Sequence, residues 1–162
     1  MKAFGSSLPV ALALGISLLA GEAIAPARAG LGSTVASVQS DRVSMKGQLR
    51  TRSEAGYAVE DITGANGTVV REYVSPAGMV FAVSWYGPAM PDLRQTFGGY
   101  FAQFQAAVQA RRAQQPHPRG HNHLEIHTPS LVVHAFGHMR QYFGVAYVPA
   151  LMPVNLSVSD LH

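Results

Sequence analysis

The stretch His121-Asn122-His123-Leu124-Glu125-Ile126-His127 holds the densest set of metal-binding and proton-carrying side chains in the sequence. In an extended backbone side chains alternate, so His121, His123, Glu125 and His127 project from one face. Asn122, Leu124, Ile126 and Thr128 take the other. Imidazoles and a carboxylate converging in this way could hold Zn²⁺ or Cu²⁺, with help from His117. Neighbours on one strand face lie about 6.6 Å apart, so two of them share an ion only if the strand bends. The competing reading is a solvated strand beside a His-, Pro- and Gly-rich linker at residues 113–122. The spacing is not H-E-x-x-H, whose histidines meet on a helix.

Other candidate chemistry is thinner. Six of the seven histidines fall between His117 and His138, bordered by Arg111, Arg112 and Arg119, a modest basic patch that grows when the imidazoles protonate. His134 alternates with Val132 and Phe136, which predicts a partly buried, hydrogen-bonded histidine. Glu60, Asp61, Glu72 and Asp92 are carboxylates that spacing alone leaves unpaired. The chain has no cysteine, which excludes disulfides, thiolate metal sites and cysteine nucleophiles. It contains no nucleophile elbow, phosphate-binding loop, dinucleotide fingerprint or EF-hand loop, so nothing argues for a catalytic residue or for an enzyme.

The elements that must position these residues read clearly in the middle of the chain. Gly30 to Lys46 predicts a short helix, capped by Ser33 or Ser37 and ended by Gly47. Tyr57 to Thr63, Thr68 to Ser75 and Met79 to Tyr86 read as three strands, joined by Asn66-Gly67 and Ser75-Pro76-Ala77-Gly78 turns. In the last strand, alternation places Phe81, Val83 and Trp85 on one face. Leu93, Phe97, Tyr100, Phe101, Phe104 and Val108 recur every three or four residues, predicting one amphipathic helix from Pro91 to Arg112. Leu131 to Phe136 and Gln141 to Val148 predict a closing hairpin. The tail packs through Leu151, Met152 and Leu156. The expected architecture is α+β: an antiparallel sheet of about five strands covered by one long amphipathic helix, with a short N-terminal helix.

Residues 1–29 read as an address. Lys2, the 13-residue apolar run from Leu8 to Ala20 and Ala27-Arg28-Ala29 predict a secretory signal peptide that signal peptidase cuts before Gly30. The run is shorter than the ~20 residues that span a bilayer, and no second run of spanning length follows. Residues 30–162 are then a single domain, periplasmic or secreted. The net charge of +3 falls to +2 when Lys2, Glu22 and Arg28 leave with the leader. A surplus that small argues against nucleic acid.

Arg71-Glu72-Tyr73-Val74-Ser75-Pro76 with Val80-Phe81-Ala82-Val83-Ser84-Trp85, Met90-Pro91-Asp92-Leu93, Gly137-His138-Met139-Arg140 and Tyr147-Val148-Pro149-Ala150-Leu151 resemble the core of an exported bacterial family, Domain of Unknown Function 2844 (DUF2844). The resemblance covers nearly the whole predicted mature chain and implies a small exported protein. It carries no catalytic or cofactor-binding residue, and the stretch from His117 to His127 lies outside it. The function expected is a non-catalytic module that binds an envelope protein or a small ligand through the sheet face or the helix face. The alternative is a periplasmic transition-metal-binding protein using His121, His123, Glu125 and His127.

Overall fold

The computed structural model describes residues 30–114 and 123–161. A short 3₁₀ turn at Val35–Ser37 leads into α1 (Val38–Ser44). Four strands follow as a meander: β1 (Gln48–Glu54), β2 (Tyr57–Thr63), β3 (Val69–Val74) and β4 (Val80–Gly87). Then come α2 (Leu93–Thr96), a 3₁₀ turn at Gly98–Tyr100 and α3 (Phe101–Gln114). β5 (His123–His127), β6 (Val132–His138) and β7 (Gln141–Tyr147) complete one antiparallel sheet in the order β1-β2-β3-β4-β7-β6-β5.

The α+β class and the antiparallel sheet are as the sequence predicts, but seven strands replace the expected five. The two additional strands are the sheet's edges. β1 contains a single large apolar residue, Leu49, so hydrophobic periodicity cannot reveal it. It is held by its ladder to β2 and by cross-strand side chains: Thr51 Oγ1 donates to Glu60 Oε2 at 2.6 Å, and Arg52 Nε to Asp61 Oδ2 at 2.8 Å. Charged residues on an edge also discourage pairing with other chains.

The long helix predicted from Pro91 to Arg112 is broken. Asp92 caps α2 by accepting from the Arg94 amide at 2.9 Å. The chain then turns at Gly98, whose φ of +48° lies in the left-handed region that glycine enters without a Cβ clash. The turn lets Phe97 point straight into the sheet, fully buried against Trp85 and Phe104, with ring centroids 5.9 and 4.9 Å away.

A β-bulge corrects the expected facing of β4. Tyr73 pairs with Ala82 and Val74 with Val80, so the ladder skips Phe81. Val80, Val83 and Trp85 therefore pack in the helix-side core with Val70, Phe97, Phe104, Val133 and Ala146. Phe81 and Ala82 join Val59, Tyr73 and Leu161 in a second core on the opposite face. There the tail lies across part of the sheet through Leu151, Met152 and Leu156, the residues the sequence nominates. Among the described residues no helix is long and apolar enough to cross a membrane.

Candidate functional site on the open sheet face

Strand register assembles the site. Reading across the face away from the helices, Asp61 lies opposite Arg71, Arg71 opposite Ser84, Ser84 opposite Val145, Val145 opposite His134, and His134 opposite Glu125. The neighbouring row runs Val69, Tyr86, Phe143, Phe136 and His123. Three rings of this second row are exposed: Tyr86 is 64%, Phe143 46% and Phe136 36% exposed. Phe136 and Phe143 stack at 5.0 Å, and His123 meets the edge of Phe136 at 6.4 Å. Large aromatics lined up in water are unusual, and they mark binding surfaces more often than isolated exposed residues do.

These residues wall a cavity of about 580 Å³, with Val145 on its floor, Arg71 and Ser84 at one end and His134 and His123 at the other. Three strand spacings separate Arg71 from His134, about 14 Å. At the first end, Asp61 is shared by two arginines: Oδ1 accepts from Arg71 Nε at 2.9 Å and Oδ2 from Arg52 Nε at 2.8 Å. One carboxylate thus faces two guanidinium groups. Arg71 keeps further N–H donors, and the hydroxyls of Tyr73 and Ser84 lie 3.1 Å apart close by. Burial raises the Tyr73 phenol above its ordinary value, offset in part by Ser84 and Arg71, so it stays a neutral hydroxyl.

At the second end, His123, Glu125 and His127 share one exposed face, as the alternation predicts, while Ile126 is buried behind them. They do not converge on an empty centre. His123 Nε2 lies 2.9 Å from Glu125 Oε1, and His134 Nδ1 is 3.7 Å from the same oxygen, within ion-pair range but too long for a hydrogen bond. The His127 and His134 rings meet edge to face at 4.9 Å. The hydrogen bond from His123, with smaller contributions from the imidazoles around it, holds the Glu125 carboxyl below its ordinary range. Among the described residues no group of three or more histidines and carboxylates has the geometry to hold a metal ion. His121 and His117 lie outside the described residues, as does most of the predicted linker.

His134 is partly buried, as its alternation with Val132 and Phe136 predicts, but its place beside Glu125 is not legible in the spacing. The register of β5 and β6 delivers it to Glu125. Arg111, read from sequence as part of a basic patch, donates to the Glu125 backbone carbonyl and ties α3 to β5. The aromatic row has no signal in the sequence, because Tyr86, Phe136 and Phe143 meet only through the β4–β7–β6 pairing.

Fold and surface together define an α+β protein built on one sheet, with one face buried under helices and the other presenting an aromatic cavity between polar ends. The chain matches the model of the family described as Protein of unknown function (DUF2844) over residues 27–161, and it belongs to that family. No curated protein and no solved structure matches it.

Proposed function

We propose that the chain is an exported, non-catalytic binding module that takes a small amphipathic ligand on the open face of its sheet. The apolar body lies along Phe136, Phe143 and Val145, and an anionic head meets Arg71 and Ser84. The observation that carries this reading is the cavity itself, a mostly apolar volume of about 580 Å³ with donors gathered at one end. Pockets of this size with a few placed polar groups are the usual form of small-molecule sites. The export signal predicted at residues 1–29 supports a periplasmic or secreted location.

Decanoate, with decanol as its uncharged partner, is a suitable probe pair. Decanoate should bind the wild type, and Phe143→Ala should weaken it about tenfold by removing a ring from the cavity wall. Arg71→Gln should erase any preference for the acid over the alcohol. That preference should be no more than about fivefold, since Arg71 is partly exposed and already touches Asp61. Equal, weak binding of both probes to wild type and Phe143→Ala would refute the assignment.

A metal-binding reading starts from His127 and His134, which meet across β5 and β6 beside Glu125, and requires these side chains to rearrange around the ion. Calorimetry with Zn²⁺ and Cu²⁺ tests it. Micromolar binding lost on combined alanine replacement of His123, His127 and His134 would favour a metal site there over the amphipathic ligand.

A further inference from the structure

On the covered side of the sheet a second cavity, of about 290 Å³, opens between α1, the β2–β3 turn and the segment from Met90 to Thr96. Asp41 of α1 and Glu72 of β3 reach it, 3% and 0% exposed. Gln95 Nε2 donates to Asp41 Oδ1 at 2.6 Å, and the Ser44 hydroxyl donates to Gln95, which fixes the Asp41 carboxyl. Three oxygens are left over. No N–H or O–H of the described protein reaches Asp41 Oδ2, Glu72 Oε1 or Glu72 Oε2. The two acids can bond each other only through a proton that one of them carries.

The surroundings make this arrangement costly. Glu60, opposite Glu72 on β2, is a third buried carboxyl, held by Thr51. No Lys or Arg ion-pairs with Asp41, Glu60 or Glu72 among the described residues. Buried carboxylates are ordinarily paired or coordinated. A protein with a surplus of positive charge has here enclosed acidic groups, and its described residues supply no cation for them.

We propose that this cavity is a binding site for a small primary alkylammonium ion. An ammonium carries three N–H donors, enough to replace the proton that Asp41 and Glu72 share and to reach the carboxyl oxygens that no other protein N–H or O–H meets. Met45, Val70, Met90 and Pro91 line the rest of the cavity and accept a short alkyl chain. A bare metal ion fits poorly. The cavity is about ten times the ~30 Å³ share of one water, and no group of three or more ligating side chains gathers at it among the described residues. The site lies on the other face of the sheet from the aromatic cavity and is independent of it.

The test is calorimetric titration of the protein with propylammonium, n-propanol and Ca²⁺ at matched ionic strength. Propylammonium should bind with saturation, n-propanol at least tenfold more weakly, and Ca²⁺ not measurably. Glu72→Gln should weaken propylammonium at least tenfold, with its circular dichroism spectrum unchanged. The wild-type comparison of ammonium with alcohol needs no variant, so it stands even if Glu72→Gln fails to fold. Equal affinity for ammonium and alcohol, no saturable binding of propylammonium, preferential binding of Ca²⁺, or undiminished binding by a folded Glu72→Gln protein would each overturn the proposal.

Discussion

Glu72→Gln should also change how stability responds to pH. Burial first, then the hydrogen bond with Asp41 and the negative charges of Asp41 and Glu60, hold the Glu72 carboxyl well above its ordinary 4.5. Burial likewise raises Asp41 from 3.8, opposed by its hydrogen bonds to Glu72 and Gln95. The folded protein therefore keeps a proton that the unfolded chain releases. A raised folded-state pKa stabilises fully below the unfolded value, and that stabilisation is lost as pH climbs through the folded value. Each unit of pH in that window removes up to about 1.4 kcal/mol, a fall in Tm of about 3–6 °C for a domain of this size. Glutamine cannot ionise, and its amide can donate to Asp41. The variant should show a flat profile through the window and exceed the wild type at neutral pH. Urea melts at half-unit steps from pH 4.5 to 8 provide the assay. Parallel profiles for wild type and variant would refute the reasoning, because Glu72 would then release its proton equally in both states.

Three further substitutions follow from packing and backbone geometry. Gly144→Ala puts a Cβ 2.3 Å from Trp85 Cζ2 and 2.7 Å from the His134 carbonyl; the clash should cost about 1–3 kcal/mol or more in urea denaturation. Phe97→Ala empties the buried space between Trp85 and Phe104, and a loss of about 3–5 kcal/mol should appear as a lower urea midpoint. Met139 and Arg140 hold φ of 43° and 68° in the two-residue turn between β6 and β7. Met139→Asn with Arg140→Gly suits that turn, and thermal melts should show a gain of about 1 kcal/mol.

Sequence reading succeeds where a pattern is local. The β2–β4 meander is legible because apolar strands alternate with Asn-Gly and Ser-Pro-Ala-Gly turns, and the Asn66 side chain indeed accepts from the Thr68 amide at 2.9 Å. β1 is illegible because its stability comes from Arg52, Thr51 and their partners on β2, which no periodicity encodes. The Gly98-Gly99 pair marks a weak point in the predicted helix, but only packing of Phe97 on the sheet decides that the helix breaks there. Phe81 changes face because of a bulge set by pairing with β3. The same limit governs the sites. His123, Glu125 and His127 share a face because five consecutive residues dictate it, whereas His134 joins them through strand register. Asp41 and Glu72 come from α1 and β3, and the aromatic row from three strands. Contacts assembled across strands and helices carry no signature in either member alone.

The open-face reading is tested most directly by mapping amide chemical shifts during titration with decanoate. The account predicts saturable shifts at Tyr86, Phe136, Phe143 and Val145, extending to Arg71 and Ser84, with the amides of α1 and α3 unmoved. Shifts confined to the helices, or absent while decanoate binds, would contradict it.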